Sequence, residues 1–278
     1  MLANLDSGTI FKKAFTHKLV FELLAIFLLC LSACRTTSTV VKVSHQLKAQ
    51  YAFSLQMPEG DGYNGGGVAF VSKNKRYYAA FAGNKYFPLQ AFDEKGKAVG
   101  EALKVNTDIR GLWYNPKTQE LEANGFGKEP IVRYVFNNGI PYETEILIED
   151  LKKPDAQAVA TLDNDSDEIL MFHEGAIYRF NHKTGEALGD YVLKSMPESY
   201  GINENVIAYT GIVGGEIALL DFQGKKVYLF QKNTGEFTGT IQLPAEAPTQ
   251  RNFNFAFANR IIWLFDIEKR AWQGFRVN

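Results

Sequence analysis

Three carboxylates alternate in Asp163-Asn-Asp165-Ser-Asp167-Glu168, the spacing with which a loop wraps oxygen ligands round a hard cation. Such a calcium loop takes roughly six to eight oxygens and needs glycine at its sixth position for the sharp turn. The sixth position here is Glu168, and Ile169–Phe172 beyond it is apolar and strand-like. The stretch therefore reads as an acidic turn, with Asp163, Asp165 and Asp167 as weak metal candidates. A second candidate is Gly60-Asp-Gly-Tyr-Asn-Gly65, a formal G-x-G-x-x-G. A dinucleotide fingerprint has a strand before it and a helix after it, so that helix amides hold the pyrophosphate. Here Val68–Ser72 follows as a strand, so the glycines turn the chain sharply, and Asp61, Tyr63 and Asn64 are placed to line a ligand pocket. Asp61, Asp108 and Glu204 stand near the starts of predicted inner strands; a glycosidase pair would require two acids within about 5–10 Å. His17, His45, His173 and His182 show no zinc spacing, and no Gly-x-Ser-x-Gly elbow occurs. No cofactor is expected. With net charge −1 and no basic stretch interleaved with aromatics, the chain lacks a nucleic-acid footprint.

The elements that must carry these residues are strands. Beyond residue 48 apolar positions alternate over five to eight residues, with turn signals about ten residues apart. A strand-closing Phe followed by a polar turn recurs at Phe92, Phe136, Phe180, Phe230 and Phe265, spaced 44, 44, 50 and 35 residues apart. A period near 40–45 with about four strands per unit is that of β-propeller blades. The chain thus resembles bacterial propellers whose blades carry a strand, an acidic or amide residue, Thr-Gly and a return strand, TolB-like six-bladed lipoproteins among them. The expected fold is all-β, a β-propeller over 49–278 with five blades favoured and six the alternative. The last stretch, Asn252–Asn278, holds only three strands, so Gln50–Met57 is expected to pair with it and close the ring, because an open edge invites aggregation. Tyr77, Tyr78, Tyr86, Trp113, Tyr114, Tyr200 and Tyr209 suffice for a stacking surface or for packing between blades; Trp263 and Phe265 share one strand face and read as core.

Lys12, Lys13 and Lys18 precede an apolar run, Leu19–Leu31, interrupted only by Glu22 and short of the roughly 20 residues that span a bilayer. That order is a secretory signal. It ends Leu31-Ser32-Ala33-Cys34, which resembles a bacterial lipobox. The resemblance implies cleavage between Ala33 and Cys34 and a lipidated Cys34, giving a signal peptide over 1–33 and a lipidated tether over 34–48. Two or more acyl chains make such attachment durable. Arg35 rather than Asp follows Cys34, which by the same resemblance favours the outer membrane of a Gram-negative envelope. The two cysteines are Cys30 and Cys34, so the chain after residue 34 carries no thiol.

These readings give an envelope-facing propeller, anchored to the membrane by lipid, that binds an envelope protein as a rigid scaffold. The alternatives are a glycan-binding or glycan-cleaving propeller and a metal-dependent lactonase-like enzyme. Changing Cys34 to Ala is expected to move the protein from the membrane pellet to the soluble fraction; continued membrane association would overturn the lipid anchor.

Overall fold

The computed structural model describes residues 45–59, 64–82, 87–105, 107–251 and 254–278. Twenty strands and no helix occur among them. Three four-stranded antiparallel sheets follow chain order. The first holds β2 (Asn64–Val71), β3 (Arg76–Ala82), β4 (Phe87–Phe92) and β5 (Ala98–Val105). The second holds β6 (Ile109–Asn115), β7 (Glu120–Gly125), β8 (Ile131–Asn137) and β9 (Ile140–Ile148). The third holds β10 (Ala160–Asp163), β11 (Glu168–His173), β12 (Ala176–Asn181) and β13 (Ala187–Val192). A fourth unit, β14 (Ala208–Tyr209), β15 (Ile217–Asp221), β16 (Lys226–Phe230) and β17 (Phe237–Gln242), precedes β18 (Phe255–Ala258), β19 (Ile261–Asp266) and β20 (Ala271–Val277).

β1 (His45–Gln56) joins these last seven strands into one eight-stranded sheet, ordered β14-β15-β16-β17-β1-β20-β19-β18. Its His45–Lys48 half runs parallel to Gly239–Gln242, and its Ala49–Gln56 half runs antiparallel to β20, with a bulge between Tyr51 and Phe53. The strand thus starts at His45, four residues inside the tether expected from the sequence. Parallel pairing with β17 satisfies an edge that Gln50–Met57 alone would leave open.

Local chemistry explains the turns. An Asp or Asn ends a strand and its side chain takes up the amides of the bend, an Asx turn. Asp93 accepts from Lys95 and Lys97, Asn115 from Lys117, Asp163 from Asp165, Asn181 from Lys183, and Asp221 from Gly224. Two-residue hairpins use left-handed pairs: Asn138-Gly139 and Glu174-Gly175, both with positive φ at each position. The Asx position also corrects the repeat. Phe92, Phe136, Phe180 and Phe230 close the third strands β4, β8, β12 and β16, whereas Phe265 lies on β19, the second of its unit. The short spacing of 35 residues is that phase slip; its in-phase partner is Leu220-Asp221 at the end of β15.

Adjacent sheets pack through five apolar clusters. In one, Trp263, Phe265 and Trp272 of β19 and β20 meet Tyr77 and Phe81 of β3, with Tyr77 and Trp263 ring centroids 5.2 Å apart. All five side chains are fully buried, and each Phe-sized burial contributes about 3 kcal/mol. Trp272 donates its indole N–H to the Ala80 carbonyl at 3.1 Å and packs its ring against Gly65. Gly65 therefore serves close packing within β2, where Asn64 pairs with Ala82, while Gly60 and Gly62 lie outside the described residues. Gly65→Ala drives a methyl into the Trp272 ring and is expected to cost about 1–3 kcal/mol in urea unfolding; unchanged stability would show that Trp272 has room to move.

Candidate functional site

The first strands of the units, β2, β6, β10, β14 and β18, line one cavity of about 400 Å³. They enter it in the same sense. Hydrogen bonds from Phe126 to Asp108 and from Gly127 to Ala156 gather the connections between units at one end, here called the loop end. Bonds from Lys73 to Gln119 and from Lys117 to Asp165 gather the β2–β3, β6–β7 and β10–β11 turns at the other, here called the hairpin end. Phe70, Leu112, Tyr114, Tyr209 and Phe257 contribute apolar and aromatic wall. Arg110 near the loop end and Arg260 at the hairpin end are the charged residues of the wall; no carboxylate lines it among the described residues.

The acids near its rims are held by cations. Arg110 grips Asp108 through two parallel bonds of 2.8 and 2.7 Å and stacks on Phe126, its carbon 4.9 Å from the ring centre. Burial pushes the Asp108 carboxyl up, and the opposing pull of Arg110 does not bring it back to its ordinary value. Beside them Lys153 donates to the Glu129 carbonyl at 2.9 Å; burial and the Arg110 charge outweigh Glu129 and lower its ammonium to about 8. At the hairpin end Lys232 reaches both Asp163 oxygens at 2.7 Å and Asp165 at 3.0 Å, while the Tyr209 hydroxyl donates to Asp165 at 2.9 Å. Against the cost of burial, that ammonium holds Asp163 below its ordinary range, and it does the same for Asp165. The turn that resembled a calcium loop closes round a lysine from β16–β17, a partner 69 residues away that no local motif announces. Among the described residues no group of three or more His, Cys, Asp or Glu is arranged to hold a metal.

A third cluster escaped the sequence altogether. His182, in the β12–β13 turn, is buried and hydrogen-bonded to Glu122 of β7 at 2.6 Å. Glu122 is fully buried and also accepts from the Trp113 indole at 2.7 Å and from Asn115 at 3.3 Å. Asp167 lies 3.3 Å from the other imidazole nitrogen. Burial opposes the imidazolium, but Glu122, Asp167 and Glu120 outweigh it and raise the His182 pKa. No signal in the sequence marked it, because Glu120, Glu122 and Asn124 alternate along β7 and read as a polar, solvent-facing side of the strand.

The remaining candidates disperse. Asp61, Tyr63, Tyr86, His17, Ala33 and Cys34 lie outside the described residues. Asn64 is in β2, and its loop role is replaced by strand pairing. Glu204 is exposed at the loop end, and the neighbouring Asn205 bonds the His173 ring at 2.8 Å. Tyr77 and Tyr78 are core, Tyr114 and Tyr209 face the cavity, and Tyr200 stands 84% exposed.

No protein-family model matches the chain. No curated protein matches it either. Among solved structures it is similar to glutaminyl cyclase of Myxococcus xanthus, with TM-score 0.57 and 12% identity over 84% of this chain and 98% of that one. Lower similarity extends to a β-propeller domain of Cps50 (Swd1) from Myceliophteria thermophila, TM-score 0.44, 10% identity, 82% and 87% covered. Virginiamycin B lyase of Staphylococcus aureus follows at TM-score 0.41, 16% identity, with 79% and 67% covered. The fold is an all-β propeller.

Because the folded pKa of His182 is raised, its stabilisation is complete below the unfolded value near 6.5 and is lost as pH rises through the folded value. His182→Asn leaves the Glu122 charge with one fewer partner and is expected to cost about 3 kcal/mol at pH 5–6, less at pH 9, in urea unfolding. A difference that stays constant across that range would show that the pair carries no charge.

Proposed function

We propose that this chain is a lipid-anchored, five-bladed β-propeller of the cell envelope, its ring closed by β1, that binds a protein partner without chemistry of its own. Outer-membrane attachment is the favoured location in a double-membraned cell. Support for five blades comes from the five first strands that share one cavity and from β1 supplying a fourth strand to β18–β20.

The observation that carries the binding role is Tyr200. It lies in the fifteen-residue connection 193–207 at the loop end, with its side chain 84% exposed. The backbone on either side is pinned: Gly201 N–H donates to Ser199 Oγ at 3.1 Å, and Gly201 O accepts from Phe222 N–H at 2.9 Å. Ile202 pairs with Asp221. An outward aromatic on a fixed base costs little to order on binding, the character of an interface anchor. Phe126, also exposed, stands at the same end. Glycan cleavage or lactonase chemistry would need acids or a metal converging in the cavity, whereas the rim acids here are committed to Arg110 and Lys232. Glycan binding is the second reading, supported by Phe70, Tyr114, Tyr209 and Phe257 in the cavity wall.

In-cell crosslinking of the tagged, membrane-bound protein is expected to recover one envelope protein reproducibly. Tyr200→Ala should cut that recovery by about tenfold or more without shifting the melting temperature. A recovered partner indifferent to Tyr200 would remove this loop as the binding face. Recovery of no protein would sink the protein-binding reading and turn attention to glycans.

A further inference from the structure

We infer that the hairpin end of the propeller, at the β14–β15 loop, rests against the lipid bilayer, leaving the loop end turned away from the membrane. The inference depends on the lipid anchor at Cys34.

His45, the first described residue, lies beside that loop: its ring nitrogen Nε2 is 3.2 Å from the Val213 carbonyl, and Gly215 sits against the same ring. Cys34 precedes it by eleven residues. Eleven residues reach about 40 Å at most, even fully extended. A domain the size of 45–278 has a radius of gyration of about 17 Å, hence a width of about 45 Å. The tether is therefore short against the body it holds, and the edge from which it leaves is the edge that stays near the lipid.

The surface at that edge suits the position. Gly211-Ile-Val-Gly-Gly215 projects Val213 84% exposed, and the one charged residue of the β14–β15 loop, Glu216, is half-buried and turned back to accept from Gly214 N–H at 2.8 Å. Over the hairpin-end turns as a whole cations and carboxylates are about equal in number, and Lys232 pairs with both Asp163 and Asp165. The loop end carries an excess of carboxylates, Glu198, Glu204 and Glu246 among them, which an anionic bilayer surface repels. Val213 and Tyr200 lie beyond opposite ends of β15, since the β14–β15 loop precedes Ile217 and Gly201 meets the chain just after Asp221.

The chain after Cys34 has no other cysteine, so single positions can be labelled in the purified, lipidated protein. Val213→Cys and Asn233→Cys report the hairpin end; Tyr200→Cys and Glu246→Cys report the loop end. All four positions are exposed and tolerate a label. Each variant carries an environment-sensitive fluorophore and is reconstituted in phosphatidylcholine–phosphatidylglycerol vesicles containing a headgroup nitroxide quencher. Quenching at 213 and 233 is expected to exceed that at 200 and 246 by about threefold or more. Equal quenching at all four, stronger quenching at 200 and 246, or none at any position would overturn the orientation. Flotation of the unlabelled protein with the vesicles reads the anchor separately. Failure to float would remove the anchor and this orientation with it, whereas flotation with the wrong quenching pattern would remove the orientation alone.

Discussion

An unpaired strand edge is a row of unmet donors and acceptors, and the double pairing of β1 governs how this chain deals with it. One half of β1 lies parallel on β17 and the other antiparallel on β20, so a single strand covers the outer edges of two neighbouring units. The C-terminal strand alone could not do this, because β20 ends at Val277 paired with Ala49. The first and last described strands are thereby held in one sheet, and separating β1 from it requires breaking two ladders at once. The aromatic cluster of Trp263, Phe265, Trp272 and Tyr77 packs beside that seam, so the burial of these large rings rests on its integrity.

Between the other units, polar side chains act as clips. Asn124 of β7 accepts from Ala160 N–H and donates to Ala158 O, both at 2.9 Å, joining the second unit to the third. His182 and Glu122 bridge the same two units, and Lys232 with Asp163 and Asp165 bridges the third to the fourth. Asn254 accepts from Gly65 N–H at 2.9 Å and joins the last strands to the first unit. Apolar packing alone permits neighbouring sheets to slide, since it is non-directional; buried hydrogen bonds permit one register. The groups that looked most chemical in the sequence are consumed in this task, which explains why acids flank the cavity while its wall is neutral except for the two arginines.

Strand content and turn positions were legible because both are local. Period-two alternation and the Asx residue that closes a hairpin act over a few neighbours, and Asp93, Asn181 and Asp221 do what their types predict. The phase of the last repeat was misread for a physical reason. Phe265-Asp266 satisfies the same local rule on a second strand that Phe230 satisfies on a third, and only pairing partners separate the two. The site was less legible still. Lys232 reaches an acidic turn 69 residues away, and His182 reaches Glu122 across 60, distances at which sequence spacing carries no information about contact. Asn64 and Gly65 looked like a loop because glycine run and turn share a composition; the Trp272 ring above them is what demands the glycine.

The two ends of the propeller answer to different constraints, and this decides where recognition can be built. A hairpin turn must join strands about 4.8 Å apart, so its length and chemistry are fixed by strand geometry. A connection between units runs from an outer strand back to the axis, across roughly three strand spacings or about 14 Å. It has a minimum length and almost no maximum, because each doubling of a loop costs only about 0.6 kcal/mol in closure entropy. The connections here range from three residues between β5 and β6 to eleven before β10 and fifteen before β14. The longest of them carries Tyr200, and its base is tied to β15 by backbone bonds that leave the aromatic outward. The hairpin end, by contrast, departs from short polar turns only at Gly211–Gly215, beside the point where the tether enters. Variation in sequence that leaves the fold intact is therefore admitted mainly at the loop end, and that is the end where an interface can be elaborated without cost to the sheets.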